Sequence, residues 1–270
     1  MAESGGSLLP GNAGAAGTMT IASGGLDLQV GSLLKMDLLG LAQGTGYDFL
    51  NVGGIVTFNG NLLLNMAYGL RTIASNTAFT ILTATSPITG IIGNLVGNRI
   101  LEQTGFGSFK ATYGTGNSLV LDDFQAAPLN YPLWQTAWNF ATVGDKDFSA
   151  TPAKDGIPNG IKYALGLDPL AQGNGFLPTV SVVDLSGVKY LALTYVRATG
   201  VNVPTDIITE VERSTDPSAP GGGWSTAGIV QHSVTPGPQA GYQTVVMRST
   251  TPIGTPRVEQ EFLHLKVTKP

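Results

Sequence analysis

Short apolar segments separated by glycine and asparagine fill the first 121 residues of the chain. Within these segments apolar and polar positions alternate, or β-branched residues predominate, and both patterns predict strands. Residues 31–41 fit a helix or a strand, and we interpret them as a strand because their neighbours are strands and no helix cap precedes them. The other predicted strands span residues 18–22, 26–30, 55–58, 62–66, 79–83, 109–113 and 118–121.

After residue 130 the period of the pattern changes. The segment 131–141 has apolar residues at helical spacing, and Pro132 stands where the first turn of a helix tolerates proline. This pattern predicts a short amphipathic helix. Trp134 and Trp138 lie on its apolar face, where we interpret them as core anchors; the alternative is a platform that stacks on sugars.

From about residue 177 the chain again alternates or runs apolar between clusters of proline and glycine. Six to seven strands in about 95 residues predict a β-sandwich of the immunoglobulin-like type. The clearest of these strands span residues 179–183, 189–197, 206–214, 229–234, 243–248 and 261–268.

Charge density marks a domain boundary near residues 122–132. Up to Leu121 the chain has four basic and five acidic residues, and the remaining 149 residues have ten and thirteen. We therefore predict a first domain over residues 1–125, a helical connector over 126–176 and a C-terminal domain over 177–270.

Overall composition excludes several classes of protein. With 14 Lys plus Arg against 18 Asp plus Glu, the net charge of −4 argues against a nucleic-acid partner. The absence of cysteine excludes disulfides, thiolate nucleophiles and cysteine-based metal centres, and two histidines leave little for a histidine-rich centre. No apolar run reaches the roughly 18 residues that a membrane-spanning helix needs, so we predict no membrane span.

Turn residues and low charge together favour one architecture for the first domain. Gly-Gly, Gly-Asn and Asn-Gly pairs supply the positive φ values that sharp corners need, and low charge suits residues stacked coil upon coil. We therefore predict a β-solenoid or its terminal cap, followed by the helical connector and the sandwich in an all-β chain. Because no strict period of about 20 to 50 residues is visible, a β-sandwich is the alternative.

The first domain contains the phrases SLLPGNAGAAGTMTIA at 7–22, GYDFLNVGG at 46–54, VTFNGNL at 56–62 and FTILTA at 79–84. Through these phrases residues 7–121 resemble the C-terminal ends of bacterial autotransporter-associated β-strand repeat proteins. This resemblance implies a right-handed parallel β-helix on a secreted or cell-surface protein, without catalytic residues. It also implies a longer parent chain that carries the signal peptide upstream, since the N-terminus here lacks one.

The connector resembles the calcium segments of dockerin-like and thrombospondin-type-3-like proteins. Calcium prefers six to eight oxygen ligands, which closely spaced carboxylates can supply. Two acidic positions of that pattern are Thr151 and Ala153 here, and Lys162 stands where the pattern has glutamate. We therefore favour a helix that is capped by Asp155, starts at Pro158 and stops at Gly166, with calcium as the alternative cofactor. The candidate ligands are Asp145, Asp147, Asp155, Asn159 and Asp168.

The C-terminal domain contains three stretches that resemble a small domain which often ends such secreted proteins and has no assigned activity. These stretches are residues 210–216, Trp224 and residues 261–267.

The chain has no Gly-x-Ser-x-Gly motif to place a serine nucleophile. The visible carboxylate pairs for acid–base hydrolysis are Asp122 with Asp123, Glu210 with Glu212 and Glu259 with Glu261. Since the first domain has only five acidic residues, we predict no catalytic site.

These observations predict a structural module for display, adhesion or self-assembly outside the cell. The bare end of a solenoid would present unpaired backbone groups, and a second copy could bind there to form an oligomer or filament. The alternative function is a polysaccharide-binding module or part of a polysaccharide hydrolase. Residues predicted at the self-association surface are Leu8, Leu9, Met19 and Ile21, and those predicted to bind polysaccharide are Trp134, Trp138 and Trp224.

Overall fold

A computed structural model describes residues 5–114, 116–254 and 260–270, and all of their side chains except those of Asn174, Pro220 and Gly222. The chain divides into two compact units, Met1–Ala127 and Pro128–Pro270. Both are mainly strand, and the α-helices of the described chain belong to the second unit. No helix in the described ranges has the length and apolar character needed to span a membrane.

The first unit has eleven strands in its described part. Most of them alternate buried and exposed residues, as the hydrophobic pattern of the sequence requires. The strands are β1 Ser7–Leu8, β2 Thr18–Ile21, β3 Leu26–Leu28, β4 Leu33–Leu38, β5 Phe49–Val52, β6 Val56–Phe58, β7 Asn61–Met66, β8 Phe79–Thr83, β9 Arg99–Leu101, β10 Gly107–Thr112 and β11 Ser118–Ala126.

Three short parallel ladders start the first unit. They run in the orders β1-β4-β7, β2-β5-β8 and β3-β6. The register places Leu34 beside Leu62 and Leu50 beside Leu82, and all four side chains are completely buried. Like residues from neighbouring strands therefore stack on each other and form the apolar core of this unit.

The predicted solenoid is wrong. Parallel pairing ends after two or three strands in every ladder, and the largest sheet is mixed, with the order β2-β5-β8-β11-β10-β9. In that sheet β8, β11, β10 and β9 pair antiparallel because the chain doubles back in hairpins after β8. The first unit is thus a set of small separate sheets and not a right-handed parallel β-helix.

The second unit begins with helix α1, Tyr131–Thr136, at the predicted position. The Asn130 side chain accepts a hydrogen bond from Leu133 N at 2.9 Å and caps the helix, and Pro132 occupies its first turn. Helix α2, Asn159–Leu165, ends at Gly166, whose φ of +71° is the left-handed conformation typical of a glycine stop.

Six strands follow at the positions that the sequence pattern predicts. Four of them form an antiparallel sheet in the order β12-β13-β16-β15, and the remaining pair, β14 and β17, forms a separate ladder. The strands are β12 Thr179–Leu185, β13 Val188–Ala198, β14 Ile208–Ser214, β15 Ile229–Pro236, β16 Tyr242–Pro252 and β17 Phe262–Thr268.

The core of the second unit departs from an immunoglobulin-like sandwich, which needs about seven strands in two sheets. Leu193 and Val245 from the larger sheet pack with Val211 and Leu263 from the two-stranded ladder, and Leu165 of α2 completes the cluster. A helix and a two-stranded ladder therefore cover the face of the four-stranded sheet. The predicted immunoglobulin-like sandwich is replaced by this smaller arrangement.

Candidate functional site

The segment that resembles calcium sites is organised around a lysine ammonium. Lys162 Nζ lies 2.8 Å from Asp155 Oδ2, 2.7 Å from the Ala171 carbonyl oxygen and 3.2 Å from that of Pro169. The side chains of Lys162 and Asp155 are both completely buried. One protein cation therefore neutralises the carboxylate and binds two carbonyl oxygens at this position.

Asp155 is held as a carboxylate by these contacts. Burial alone would raise its pKa, but the hydrogen bond from Lys162, two backbone N–H donors and the lysine charge outweigh it and lower the pKa to about 2. The N–H donors belong to Ile157 and Gly173. Asp155 thus joins two turns of the chain, and the prediction that it caps α2 is wrong, because the helix begins after Pro158 without a side-chain cap.

The other predicted calcium ligands do not turn their side chains to a common point. Asn159 donates to the Asp145 and Asp147 carbonyl oxygens at 2.7 and 3.0 Å, so these two aspartates contact it through their backbones. Asp168 accepts from Leu170 N. Across the described ranges, no three acidic or histidine side chains are grouped to hold a metal ion. The carboxylates instead fix local turns.

The tryptophans predicted to bind polysaccharide lie in different surroundings. Trp134 is only 1% exposed and stacks on Tyr131 in an aromatic cluster that also includes Trp138. Trp224 is partly exposed, and His264 covers one face of its ring at a centroid distance of 3.8 Å. The structure therefore brings the first two together, with Trp134 buried and Trp138 half-buried, and the three do not form one platform.

One member of each predicted carboxylate pair contacts a basic side chain. Asp123 pairs with Arg99 at 2.9 Å, and Glu212 lies 2.9 Å from Lys266 and 3.0 Å from His264. Hydrogen bonds from Lys266 and His264 lower the pKa of Glu212, which disfavours a role as a general acid. Glu261 pairs with Arg213, and Glu259 lies outside the described residues.

One side of the first unit has open strand edges. Strands β1, β2 and β3 are each the outermost member of their ladder, and no described strand pairs with their other side. All three belong to the first part of the chain and pair with β4, β5 and β6 in the same parallel sense. Their free backbone groups are therefore available at one end of this unit.

Strand β2 is the clearest of these edges. The Gly17 and Ile21 carbonyl oxygens accept from Phe49 N and Gly53 N at 2.9 and 2.7 Å. Because successive backbone groups in a strand face opposite sides, the amides of Thr18 and Thr20 face away from β5. The open edge of β2 thus presents two unpaired peptide groups.

Charged residues, which often protect strand edges, are absent from this one. Residues 5–26 contain no Asp, Glu, Lys or Arg, and within β1 to β3 the one charged residue is Asp27 of β3. Natural proteins commonly prevent edge pairing with lysine, proline or bulges, and β1 and β2 contain neither lysine nor proline. The predicted contact residues Leu8, Leu9, Met19 and Ile21 all lie in or beside these strands and are half-buried.

The opposite edges of the β1-β4-β7 and β3-β6 ladders are covered by residues 88–103, whereas the sheet that contains β2 continues through β11 and β10 to β9. Thr89 pairs with Thr57 beside β6, and Gln103 N donates to the Leu64 oxygen of β7. Between them the Asn94 side chain accepts from Leu62 N at 2.9 Å and donates to the Leu62 oxygen at 2.8 Å, so the amide imitates a paired strand. The two ends of the first unit therefore differ.

Two buried aspartates fix the chain beside the open edge. Asp48 accepts from Gly17 N and Asp37 N, and Asp37 accepts from Gly14 N, each at 2.8 Å. Burial raises the pKa of Asp48, and its two hydrogen bonds partly oppose this effect. Because Gly17 immediately precedes β2, these bonds position the strand. Neither aspartate was identified from the sequence. The available signal was that both are isolated acidic residues in a region with few other charges.

Comparisons with protein-family models, curated proteins and solved structures found no match to this chain.

Proposed function

We propose that this chain is a structural module that self-associates through the open edges of β1 and β2. The observation that carries the proposal is an unpaired, uncharged strand edge whose Thr18 and Thr20 amides face away from the ladder. Unpaired edges are ready templates for another strand. The half-buried side chains of Leu8, Leu9, Met19 and Ile21 add apolar surface that a second copy would cover.

The difference between the two ends supports a closed pair of copies. Filaments need two complementary surfaces on each copy. Residues 88–103 cover the other edges of the β1-β4-β7 and β3-β6 ladders, and in the sheet of β2 the outermost strand β9 already bonds Val96 through Arg99. In a dimer with two-fold symmetry, the open edge of one copy contacts the same edge of the second copy. Strand β2 then pairs with β2 of the second copy in antiparallel orientation. We therefore propose a dimer and not the filament that the sequence also suggested.

We place this role outside the cell, at a bacterial surface or in secreted material. The resemblance of residues 7–121 to autotransporter-associated repeats supports that location. In this setting the module would contribute to display or adhesion by joining two chains.

The direct test replaces an outward-facing amide of β2. Thr20→Pro removes the N–H that faces away from β5. The Met19 and Ile21 amides still bond to β5, because an edge strand tolerates proline where the missing N–H would face the open side. Thr20→Val is the matched control because it keeps the amide and the β-branched shape. We expect wild type and Thr20→Val to dimerise with rising concentration in sedimentation velocity, and Thr20→Pro to remain monomeric.

Two results would contradict the proposal. One is a wild-type chain that stays monomeric at every concentration, and the other is a Thr20→Pro variant that dimerises like wild type. Circular dichroism of each variant checks that the fold is retained, so that loss of dimer is not confused with unfolding.

A further inference from the structure

A cavity of about 470 Å³ in the second unit lies beside helix α2, the C-terminal end of β13 and the N-terminal end of β16, the two central strands of the four-stranded sheet. Its apolar walls include Ala164, Val203, Pro204 and Ile207. This volume is within the range of small-molecule sites, which are mostly apolar with a few polar groups that fix orientation. The cavity therefore has the size and lining of a site for a small ligand.

Polar groups from the adjacent strands β13 and β16 line the same cavity. Arg197 of β13 lies directly across from Gln243 of β16 in the strand register. The Gln243 side-chain amide is oriented with its oxygen toward Arg197. This oxygen accepts hydrogen bonds from Arg197 Nε at 2.9 Å and from Arg197 Nη2 at 2.5 Å. Gln243 thus fixes the guanidinium plane and leaves Arg197 Nη1 for another acceptor.

Tyr195 adds a second donor. Burial raises its pKa, while the charge and hydrogen bond of Arg197 partly oppose this effect, so the hydroxyl stays neutral near pH 7. Its oxygen accepts from Arg197, and its own proton remains able to donate. Tyr195 and Arg197 are two residues apart on β13 and therefore project from the same face of the sheet.

The charge of Arg197 has no acidic partner among the described residues. Arg99 and Arg213 pair with Asp123 and Glu261, whereas Arg197 lies within 4.0 Å of no described carboxylate. A positive charge, an adjacent hydroxyl donor and apolar walls together complement a carboxylate on an apolar body.

We infer that this cavity binds a small apolar carboxylate, with Arg197 and Tyr195 bonding the carboxylate and the apolar walls covering the hydrocarbon part. Gln243 is a positioning residue for the guanidinium. The inference is independent of edge pairing, because the cavity lies within the second unit and β2 within the first.

The test uses hexanoate as the probe and hexanamide as its neutral counterpart, each titrated into the full chain by isothermal calorimetry. We expect hexanoate to bind, hexanamide to bind at least about tenfold more weakly, and Arg197→Gln to weaken hexanoate by about tenfold or more, as loss of a charge-assisted bond implies. Arg248→Gln is the control, since that guanidinium stacks on Tyr190 and does not line the cavity.

Three outcomes would overturn the inference. The first is no binding of hexanoate to wild type at millimolar concentration, the second is binding of hexanoate to Arg197→Gln as tightly as to wild type, and the third is binding of hexanoate no tighter than that of hexanamide. Tryptophan fluorescence of Arg197→Gln during urea unfolding establishes that the variant is folded. A further check is Tyr195→Phe, which keeps the ring and removes the donor, and which we expect to weaken hexanoate several-fold.

Discussion

At the scale of single residues, Lys162 shows how one side chain can replace an exchangeable cation. Its ammonium binds a carboxylate and two carbonyl oxygens, a set of ligands that a metal ion could also use. Because the lysine is part of the chain, this centre assembles as the second unit folds.

Removing this charge should strongly destabilise the second unit. Lys162→Met keeps the length of the apolar stem but leaves the Asp155 carboxylate buried without its cation, which costs about 3–5 kcal/mol. Urea unfolding followed by tryptophan fluorescence measures the effect, since all three tryptophans lie in this unit. Lys189→Met at an exposed position is the control and should change little. A loss below about 1 kcal/mol for Lys162→Met, or a wild-type midpoint that moves with added calcium or chelator, would contradict this account.

The same pair predicts a pH dependence with a definite sign. The pKa of Asp155 is about 2 in the folded chain against an ordinary value of 3.8, so its stabilising effect is complete above about pH 4. As the pH falls from about 4 through 2, wild type should lose that stability, and its advantage over Asp155→Asn should shrink. Urea unfolding across this range measures the difference, and carbon NMR of the Asp155 carboxyl gives its pKa directly. Titration at or above 3.8 would disprove the assignment.

At the scale of elements, local pattern predicted most strands but not their partners. Residues 31–41, which fitted either type of element, contain β4, and the six strands after residue 177 lie where expected. The alternation of apolar and polar residues determines which residues of a strand are buried. This alternation is the same whether the neighbouring strand is parallel or antiparallel. The turn into hairpins after β8 was therefore not visible in the pattern, and this is why the solenoid prediction failed.

The candidate site was only partly predictable for a related reason. Leu8, Leu9, Met19 and Ile21 were predicted from a low-charge apolar pattern, and they lie in or beside β1 and β2; their part in self-association stays a prediction. The roles of Asp48 and Asn94 depend on contacts 31 and 32 residues away in sequence. The sequence pattern carries no signal for such long-range hydrogen bonds between side chains and backbone.

The covered end gives a prediction for a single amide. Asn94→Ala removes both hydrogen bonds to Leu62 and leaves the N–H and carbonyl of Leu62 in β7 without their side-chain partner. We expect the first unit to lose about 1–3 kcal/mol of stability. Asn98→Ala, at an exposed position in the same segment, is the matched control. Hydrogen exchange of the Leu62 amide measures the effect. Unchanged protection of this amide in Asn94→Ala would show that the asparagine does not cover the edge.

At the scale of the whole molecule, the two units carry different proposed roles. The first unit presents open edges at β1, β2 and β3, while residues 88–103 cover the other edges of the β1-β4-β7 and β3-β6 ladders, which suits association of two chains. The second unit holds an internal cation and a cavity lined by Arg197, which has no carboxylate partner within the described ranges. Each proposal can therefore fail without affecting the other.

The central claim is that β2 pairs with a second copy through its outward-facing amides. Amide hydrogen exchange followed by NMR, at low and high protein concentration, tests this within a single strand. We predict that Met19 and Ile21 amides are protected at both concentrations, and that Thr18 and Thr20 amides become protected only at high concentration. Rapid exchange of Thr18 and Thr20 at concentrations where the chain is dimeric would contradict the account.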